Sequence, residues 1–483
     1  MEQKAGAQIS RKAFVQSVII LLVLMMVAGV LTRIVPAGRY ARMVQEGREV
    51  IDPASFQFMD RPDYPVWRWF TAPVEVLWGP DGLTVITILV FILMIGVSFA
   101  VLDKCGILSA AIARVVNAFG DRKYALLLVI SLLFMMMGAF FGIFEEVVPL
   151  VPVMLALSYS LGWDAFVGLG MSILATNMGF SAAITNPFTI GVAQEIAGLP
   201  LGSGAWLRIP IFLAIYAVFA AFLVRYARRV ERNPESSPIF EEDRAERAKY
   251  ESRKLDAPST GDARLGKAIA WFLAFFLLII VVLVAGPLIP AISQFALPLV
   301  GLLFLVGGVG AGLISGAGGK TVRRAVGEGV SGIAPGIPLI LMAASIKHIV
   351  AQGGIMDTIL HTASVSFSQA GPFTAALIVY VLALVIEFFV ASGSAKAFLL
   401  MPILLPVADL VGVTRQVAVT AYCFGDGFSN MAYPTNPVLL ICLGLTVVSY
   451  PKWLKWSLKL WLWVILVTVA FLALGVAIGY GPF

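Results

Sequence analysis

Charge is what this 483-residue chain has least of: 13% of its residues are Asp, Glu, Lys or Arg, against 60% hydrophobic. Soluble domains carry about 25% charged residues, so the composition excludes a water-soluble protein and points to a polytopic helical membrane protein. Histidine occurs twice and cysteine three times. Cys105, Cys423 and Cys442 lie in or beside apolar runs, giving neither a disulfide framework nor metal-ligand spacing, and read as packing residues. His348 and His361 lack a metal-ligand partner at useful spacing and read as packing or surface residues. The glycine-rich stretch 307–319 lacks the Lys-Ser/Thr ending of a phosphate loop, so its glycines read as helix-packing positions. There is no ATP-binding module to drive a pump and no nucleic-acid motif. The excess of Lys and Arg over Asp and Glu, 34 to 28, reads instead as the cytoplasmic bias that orients membrane proteins.

The apolar runs order the chain. Phe14 to Val35 has the length of a retained transmembrane helix, not of a cleaved signal, and Lys4, Arg11 and Lys12 place the N-terminus in the cytoplasm. Residues 37–81 form a polar outer loop, with Trp67 and Trp69 expected at headgroup level. A span near Leu83 to Leu102 follows. Residues 105–120 are too short to span and carry Arg114 and Asn117 on one side, as an interfacial helix would. The run 124–162 is either two ordinary spans or a re-entrant hairpin with its tip at Gly142 to Glu146. The hairpin is preferred, because Asp121, Arg122 and Lys123 before it and Asp164 after it both read as cytoplasmic. A broken helix at 165–196 and a span near Trp206 to Tyr226 complete a first repeat, 1–226.

Residues 227–266 form a cytoplasmic linker, the core of a stretch, 225–267, with eleven Lys or Arg and nine Asp or Glu. The second repeat, 267–483, holds spans near Ala268 to Ile289, Phe295 to Ile314 and Ile333 to Val350. An interfacial helix at 353–367, a hairpin at 373–410 with its tip at Ala391 to Ser394, a broken helix at 414–448 and a last span to Tyr480 follow. The expected fold is all-α, with two inverted-topology repeats, each containing a re-entrant hairpin and a broken transmembrane helix. Nine crossings plus two hairpins leave the C-terminus outside.

Two stretches organise this plan: NMGFSAAITNP, Asn177 to Pro187, and DGFSNMAYPTNP, Asp426 to Pro437. A shift of 250 residues places Pro152 on Pro402, Gly162 on Gly412, and Thr185, Asn186 and Pro187 on Thr435, Asn436 and Pro437. Paired Pro- and Gly-interrupted segments in corresponding halves point to the binding site of a secondary transporter. A helix break at membrane depth frees N–H groups at one half-helix end and carbonyls at the other. The N–H ends suit a carboxylate; the carbonyl ends, with Thr185, Asn186, Thr435 and Asn436, suit a monovalent cation. A simple kink is the bland alternative for either Asn-Pro taken alone. Asn177, Ser181, Ser429 and Asn430 line the same polar runs and are candidates for the substrate.

Charges at membrane depth cost at least about 2.5–3.5 kcal/mol each and are functional candidates by default. They are Glu145, Glu146, Glu387, Lys396 and Asp426. Glu146 and Lys396 occupy equivalent hairpin positions, so Lys396 is expected to meet either Glu146 or a substrate carboxylate, or to snorkel to the surface. Ser392, Gly393 and Ser394 at the second tip complete the substrate candidates. Asp426 is a candidate for a cation, a proton or a substrate amino group.

FFVASGSAKAFLLMPILLPVADLVGVTRQVAV and FGDGFSNMAYPTNP, with GIFEEVVP and NPFTIGVAQEIAGLP in the first half, resemble the YfcC branch of the C4-dicarboxylate anaerobic carrier family, across nearly the whole chain. Where similar sequences carry Gly-Gln after Ser-Gly-Ser, this chain has Ala395-Lys396. The wider ion transporter superfamily implies inverted repeats with hairpins, a homodimer, and transport of carboxylates or amino acids with sodium or protons or by exchange. The expectation is a non-enzymatic carrier in a bacterial-type inner membrane, without a cofactor beyond a coupling sodium ion or proton. Its substrate is a small organic anion or zwitterion, a C4-dicarboxylate or an amino acid, with basic amino-acid antiport as the alternative. An intramembrane hydrolase would need a second embedded Asp facing Asp426, and a channel would need a continuous lined pore.

Overall fold

The computed structural model describes residues 11–481 apart from 46–47, 53, 81, 109, 112–113, 115–121, 201, 256–262, 286–294, 335 and 368–369. Among these, six helices are long and apolar enough to cross a membrane, and four shorter apolar helices accompany them. Apolar side chains stay exposed on the outer faces, for example Leu462, Trp463 and Leu466 at 62%, 60% and 62%. Lipid accepts such a surface where water would not.

Helix α1, Arg11–Ile34, leads into a small cap. There β1, Gly38–Arg39, pairs antiparallel with β4, Gln57–Phe58, and β2, Arg42–Gln45, with β3, Arg48–Ile51. The cap continues into α2, Arg68–Glu75. Trp67 is exposed, whereas Trp69 is buried against Gly29 of α1, where an added Cβ would lie 2.3 Å from the indole. Arg68 and Glu75 pair at 2.6 Å beside His348. This pair holds the Glu75 carboxyl below the usual carboxylate range.

Helix α3, Gly82–Lys104, is followed by a stretch that lies largely outside the described residues, including most of the expected interfacial helix 105–120. Next come α4, Lys123–Met136, a wide turn at Met137–Phe141, and α5, Val151–Ser160. The helical run α6, Ala165–Ser181, breaks before a half-helix over 187–196, whose last part is α7, Val192–Ile196. Helix α8, Ala205–Arg232, runs beyond the expected end of the first repeat. The linker then forms α9, Phe240–Leu255, instead of an open tether. Asp243 takes hydrogen bonds from the Tyr159 hydroxyl and from Ala165 N–H at 3.1 Å, and Ser237 donates to Asp164 at 2.7 Å.

The second half contains α10, Ala263–Ala285; α11, Ala296–Ile314; α12, Gly319–Ile333; α13, Gly336–Gln352; and α14, Met356–Phe367. Helix α12, with Lys320, Arg323, Arg324 and Glu328, is an element the sequence reading did not contain. Its Glu328 pairs with Lys104 of α3. The cap docks on α14, where Arg42 grips Asp357 through two bonds of 2.8 and 3.0 Å and Phe56 stacks on His361 at 3.9 Å.

Helices α15, Pro372–Glu387, and α16, Gly393–Leu410, lead to α17, Arg415–Gly427, a single turn at Phe428–Met431, the half-helix α18, Pro437–Gly444, and α19, Tyr450–Ala477. Among apolar helices in lipid, association rests on close packing rather than on hydrophobic burial. The glycines of α11 serve that end: an added Cβ would meet Phe275 at Gly307, Ser98 at Gly308, Trp271 at Gly310 and Val101 at Gly312, all within 3.0 Å. The largest core joins both halves, and includes the parallel stack of Phe166 on Trp456 at 4.8 Å.

Candidate substrate and ion site

Both Thr-Asn-Pro motifs break a helix, and local chemistry explains how. Proline starts each second half-helix because its missing N–H is not needed at that position. The preceding asparagine caps it: Asn186 Oδ1 accepts from Phe188 and Thr189 N–H at 2.8 and 3.3 Å, and Asn436 Oδ1 from Val438 N–H at 2.9 Å. Asn436 also donates to Asn430 at 2.7 Å. These amide oxygens are therefore engaged as helix caps, a role the sequence reading did not assign to Asn186 and Asn436.

The other freed groups are also taken. The wide turn at Met137–Phe141 releases the Ala139 carbonyl, which accepts from the N–H groups of Ile184, Thr185 and Asn186 at 2.9, 3.1 and 3.1 Å. The Thr185 hydroxyl donates to Phe140 O at 3.0 Å. Gly142, with φ at +68°, passes so close to Asn186 that a Cβ there would lie 2.3 Å from Oδ1. In the second break, Trp453 donates to Met431 O at 2.7 Å and Tyr450 to Ala432 O at 2.8 Å, while Thr435 is buried. The backbone of the breaks is thus largely satisfied within the protein, while Asn177 Oδ1 and the Thr189 and Thr435 hydroxyls stay buried without a hydrogen-bond partner among the described residues.

Between the breaks the two halves touch directly. Asn177 Nδ2 donates to Phe428 O at 3.3 Å, and Ser181 packs on Gly427, where an added Cβ would lie 2.3 Å from its hydroxyl oxygen. Ser429 and Asn430 bond back to their own helix, Ser429 to Gly425 O at 3.0 Å and Asn430 to Gly427 O at 3.1 Å. These four side chains are brought together as a packed crossing.

The two helix-joining tips differ. At the first, Glu145 and Glu146 sit in the opening turn, and Glu146 Oε2 accepts from Phe144 N–H at 3.2 Å. Both are partly buried. The first tip thus supplies its own anions to its helix N-terminus. At the second, Ser392 is the N-cap of α16 but makes no side-chain cap bond. The N–H groups of Gly393, Ser394 and Ala395 have no hydrogen-bond partner among the described residues. Ser394 at this end, with Phe398, lines a groove of about 610 Å³ whose other wall comes from the first half, including Thr185, Phe188, Gln194 and Glu195.

Lys396 meets neither Glu146 nor the surface. Its ammonium is fully buried, 2.7 Å from Asp426 Oδ1 and in contact with Glu387. A cation enclosed at this depth needs counter-charges, and α15 and α17 each bring one. Glu387 was a minor candidate in the sequence and is a full partner here. Arg208 of α8 was missed: it is buried and donates to Ile184 O at 3.1 Å and Ser203 O at 2.7 Å. A charge two residues inside an apolar run was its only signal. No cluster of three or more His, Cys, Asp or Glu that could hold a metal ion occurs among the described residues.

A family model described as the C4-dicarboxylate anaerobic carrier matches residues 14–477. The chain belongs to that family. This carrier is 30% identical over 480 residues, 92% of the chain and 93% of the relative, to YfcC of Escherichia coli (strain K12), provisionally named a basic amino acid antiporter. It is 26% identical over 379 residues to an uncharacterised protein of Haemophilus influenzae, covering 78% of the carrier and 72% of that relative. The solved YdaH transporter of Alcanivorax borkumensis and MtrF of Neisseria gonorrhoeae, titled as one of a class of antimetabolite efflux pumps, align over 97% and 95% of the carrier. Those alignments cover 100% and 94% of the respective solved chains, at 18% identity and a TM-score of 0.42 each, a likeness too slight to transfer a site or a substrate. The carrier is a multi-span membrane transporter, as its family requires.

Proposed function

We propose that this carrier is a secondary active transporter of a small carboxylate-bearing solute, an amino acid or a C4-dicarboxylate, working by alternating access. The observation that carries the reading is the N-terminus of α16, which has three unpartnered N–H groups and brings Ser394 to the groove between the halves. Aligned peptide dipoles and free N–H groups together favour a carboxylate there. Ser392, Gly393 and Ser394 would hold it, with Thr185 on the facing wall and Glu145 and Glu146 setting the field beyond. Basic amino-acid antiport of the arginine/ornithine type is the second reading. It is favoured by the surplus of carboxylates over ammonium groups around Asp426.

In this reading the turns at Gly142 and Ser392 are the tips of two re-entrant hairpins in inverted repeats. Tyr124 at the start of the first hairpin lies 5.8 Å, ring to ring, from Trp163 just beyond its end, as entry and exit on one side demand. The carrier would sit in a bacterial inner membrane as a homodimer, N-terminus inside and C-terminus outside, coupled to sodium, to protons or to a counter-solute.

Ser392→Asp tests the carboxylate site. An N-cap aspartate would bond the free N–H groups as Glu146 does at the first tip, stabilising the fold by up to about 1 kcal/mol. Saturable uptake of dicarboxylates, arginine or ornithine into liposomes should fall at least tenfold while the melting temperature holds or rises. Parent-like uptake by Ser392→Asp would refute the site.

A further inference from the structure

The Lys396 cluster has the make-up of a monovalent-cation site with the cation already in place. One ammonium faces two carboxylates, Glu387 at the end of α15 and Asp426 within α17, and none of the three has measurable contact with solvent beyond 1%. The carboxylate oxygens receive no other aligned hydrogen bond among the described residues. A fifth oxygen belongs to a side chain alongside: the Thr189 hydroxyl from the first break is fully buried without a hydrogen-bond partner. Gly393 lies between that side chain and the cluster, since a Cβ added there would lie 2.8 Å from Thr189 Cγ2 and 3.1 Å from Asp426 Oδ2. The C-terminal end of α15 adds its negative dipole to the same place.

Such a set of hard oxygens around one unit of positive charge is what a sodium ion requires. Here the charge is tethered. An ammonium bonded through its side chain to the backbone cannot leave with the solute, so the site stays filled through the transport cycle. We propose that Lys396 is a resident substitute for a coupling sodium ion, bound by Glu387, Asp426 and Thr189, and that it makes solute binding by this chain independent of sodium. The inference rests on the transporter reading for its consequence, but the site itself is testable by binding alone.

With all groups ionised the cluster carries one lysine against two acids, a formal charge of −1. Lys396→Gln leaves −2, and the double variant Lys396→Gln/Glu387→Gln restores −1 with Asp426 and Thr189 intact. The purified full chain is melted in detergent over a sodium chloride series, with choline chloride holding ionic strength constant. The parent's melting temperature should not move with sodium. Lys396→Gln and the charge-matched double variant should each show a rise that saturates with sodium, because a ligand bound only by the folded state stabilises it by mass action. Adding Asp426→Asn to the double variant should abolish the rise. A saturating sodium response in the parent, or no response in the charge-matched double variant, would overturn the proposal. A carrier that passes this test yet takes up no carboxylate-bearing solute would instead overturn the functional reading and leave the cation site standing.

Discussion

Gly142→Ala is the substitution whose cost can be worked most directly from the structure. With φ at +68°, any L side chain at 142 pays about 1–2 kcal/mol for the left-handed backbone. The new Cβ would also lie 2.3 Å from Asn186 Oδ1 and 2.9 Å from its Cγ, so the Asn186 side chain must swing away. That motion breaks its bonds to the N–H groups of Phe188 and Thr189, worth about 1–2 kcal/mol as a helix cap. The total is about 2–4 kcal/mol. Gly162→Ala is the control, because φ there is +85° and nothing lies within 4 Å of an added Cβ, leaving the backbone cost alone. Denaturation of the purified protein should therefore rank Gly142→Ala below Gly162→Ala by about 1–2 kcal/mol. In an Asn186→Ala background the gap should narrow, since the Asn186 contact is gone and only Phe188 Cδ2, 2.7 Å from the added Cβ, remains. Equal losses in the native background, or additive losses in the double variant, would refute the clash and with it the close seating of the first tip on the first break.

Lys396→Gln without sodium should lose about 3–5 kcal/mol of stability, because two buried carboxylates are left uncompensated. The triple change Lys396→Met/Glu387→Gln/Asp426→Asn should recover most of it in thermal melts. The Arg68–Glu75 pair gives a pH dependence of known sign: a carboxyl held low contributes stability above its unfolded value, near pH 4, and loses it as pH falls through the lower folded value. The pair is partly exposed, so the step is at most about 1 kcal/mol. Proteolysis of the cap 37–81 should accelerate below about pH 4 in the parent, and Glu75→Gln should remove the step. Asp357→Asn should weaken the docking of the cap on α14 by about 1.5–3 kcal/mol, read as hydrogen exchange at Tyr40, whose N–H donates to Asp357 at 2.9 Å.

How much of this was legible in the sequence follows from the range of the interactions. Pro187 and Pro437 end helices by local chemistry, so both breaks could be read from the chain, as could the packing role of Gly307 to Gly312. Lys396 could be recognised as a buried charge but not paired, because its partners lie 9 and 30 residues away and meet it only where three helices converge. Translating the repeat put Glu146 among its expected partners, beside a substrate carboxylate; equivalence under a shift implies similar surroundings, not contact. The satisfaction of the first break was equally hidden, since it depends on a carbonyl freed by a wide turn some 45 residues upstream. The packing of Trp69 was hidden too, because an amphipathic ring suits the headgroup region by type alone, whereas Gly29 leaves a slot that only the fold reveals.

The docked segment 237–243 changes what the connection between the halves means. Besides Asp243 and Ser237 bonding to the first half, Lys452 of α19 donates to Pro238 O at 2.7 Å and pairs with Glu242 at 2.5 Å. The start of the linker is thus a tenon seated in both halves, and the peptide bonds after Leu255 are not what keeps the halves in register. A chain cut between 256 and 262, expressed as two polypeptides, should reassemble in the membrane, whereas an uncut chain deprived of Asp243 and Lys452 should lose its alignment while remaining one molecule.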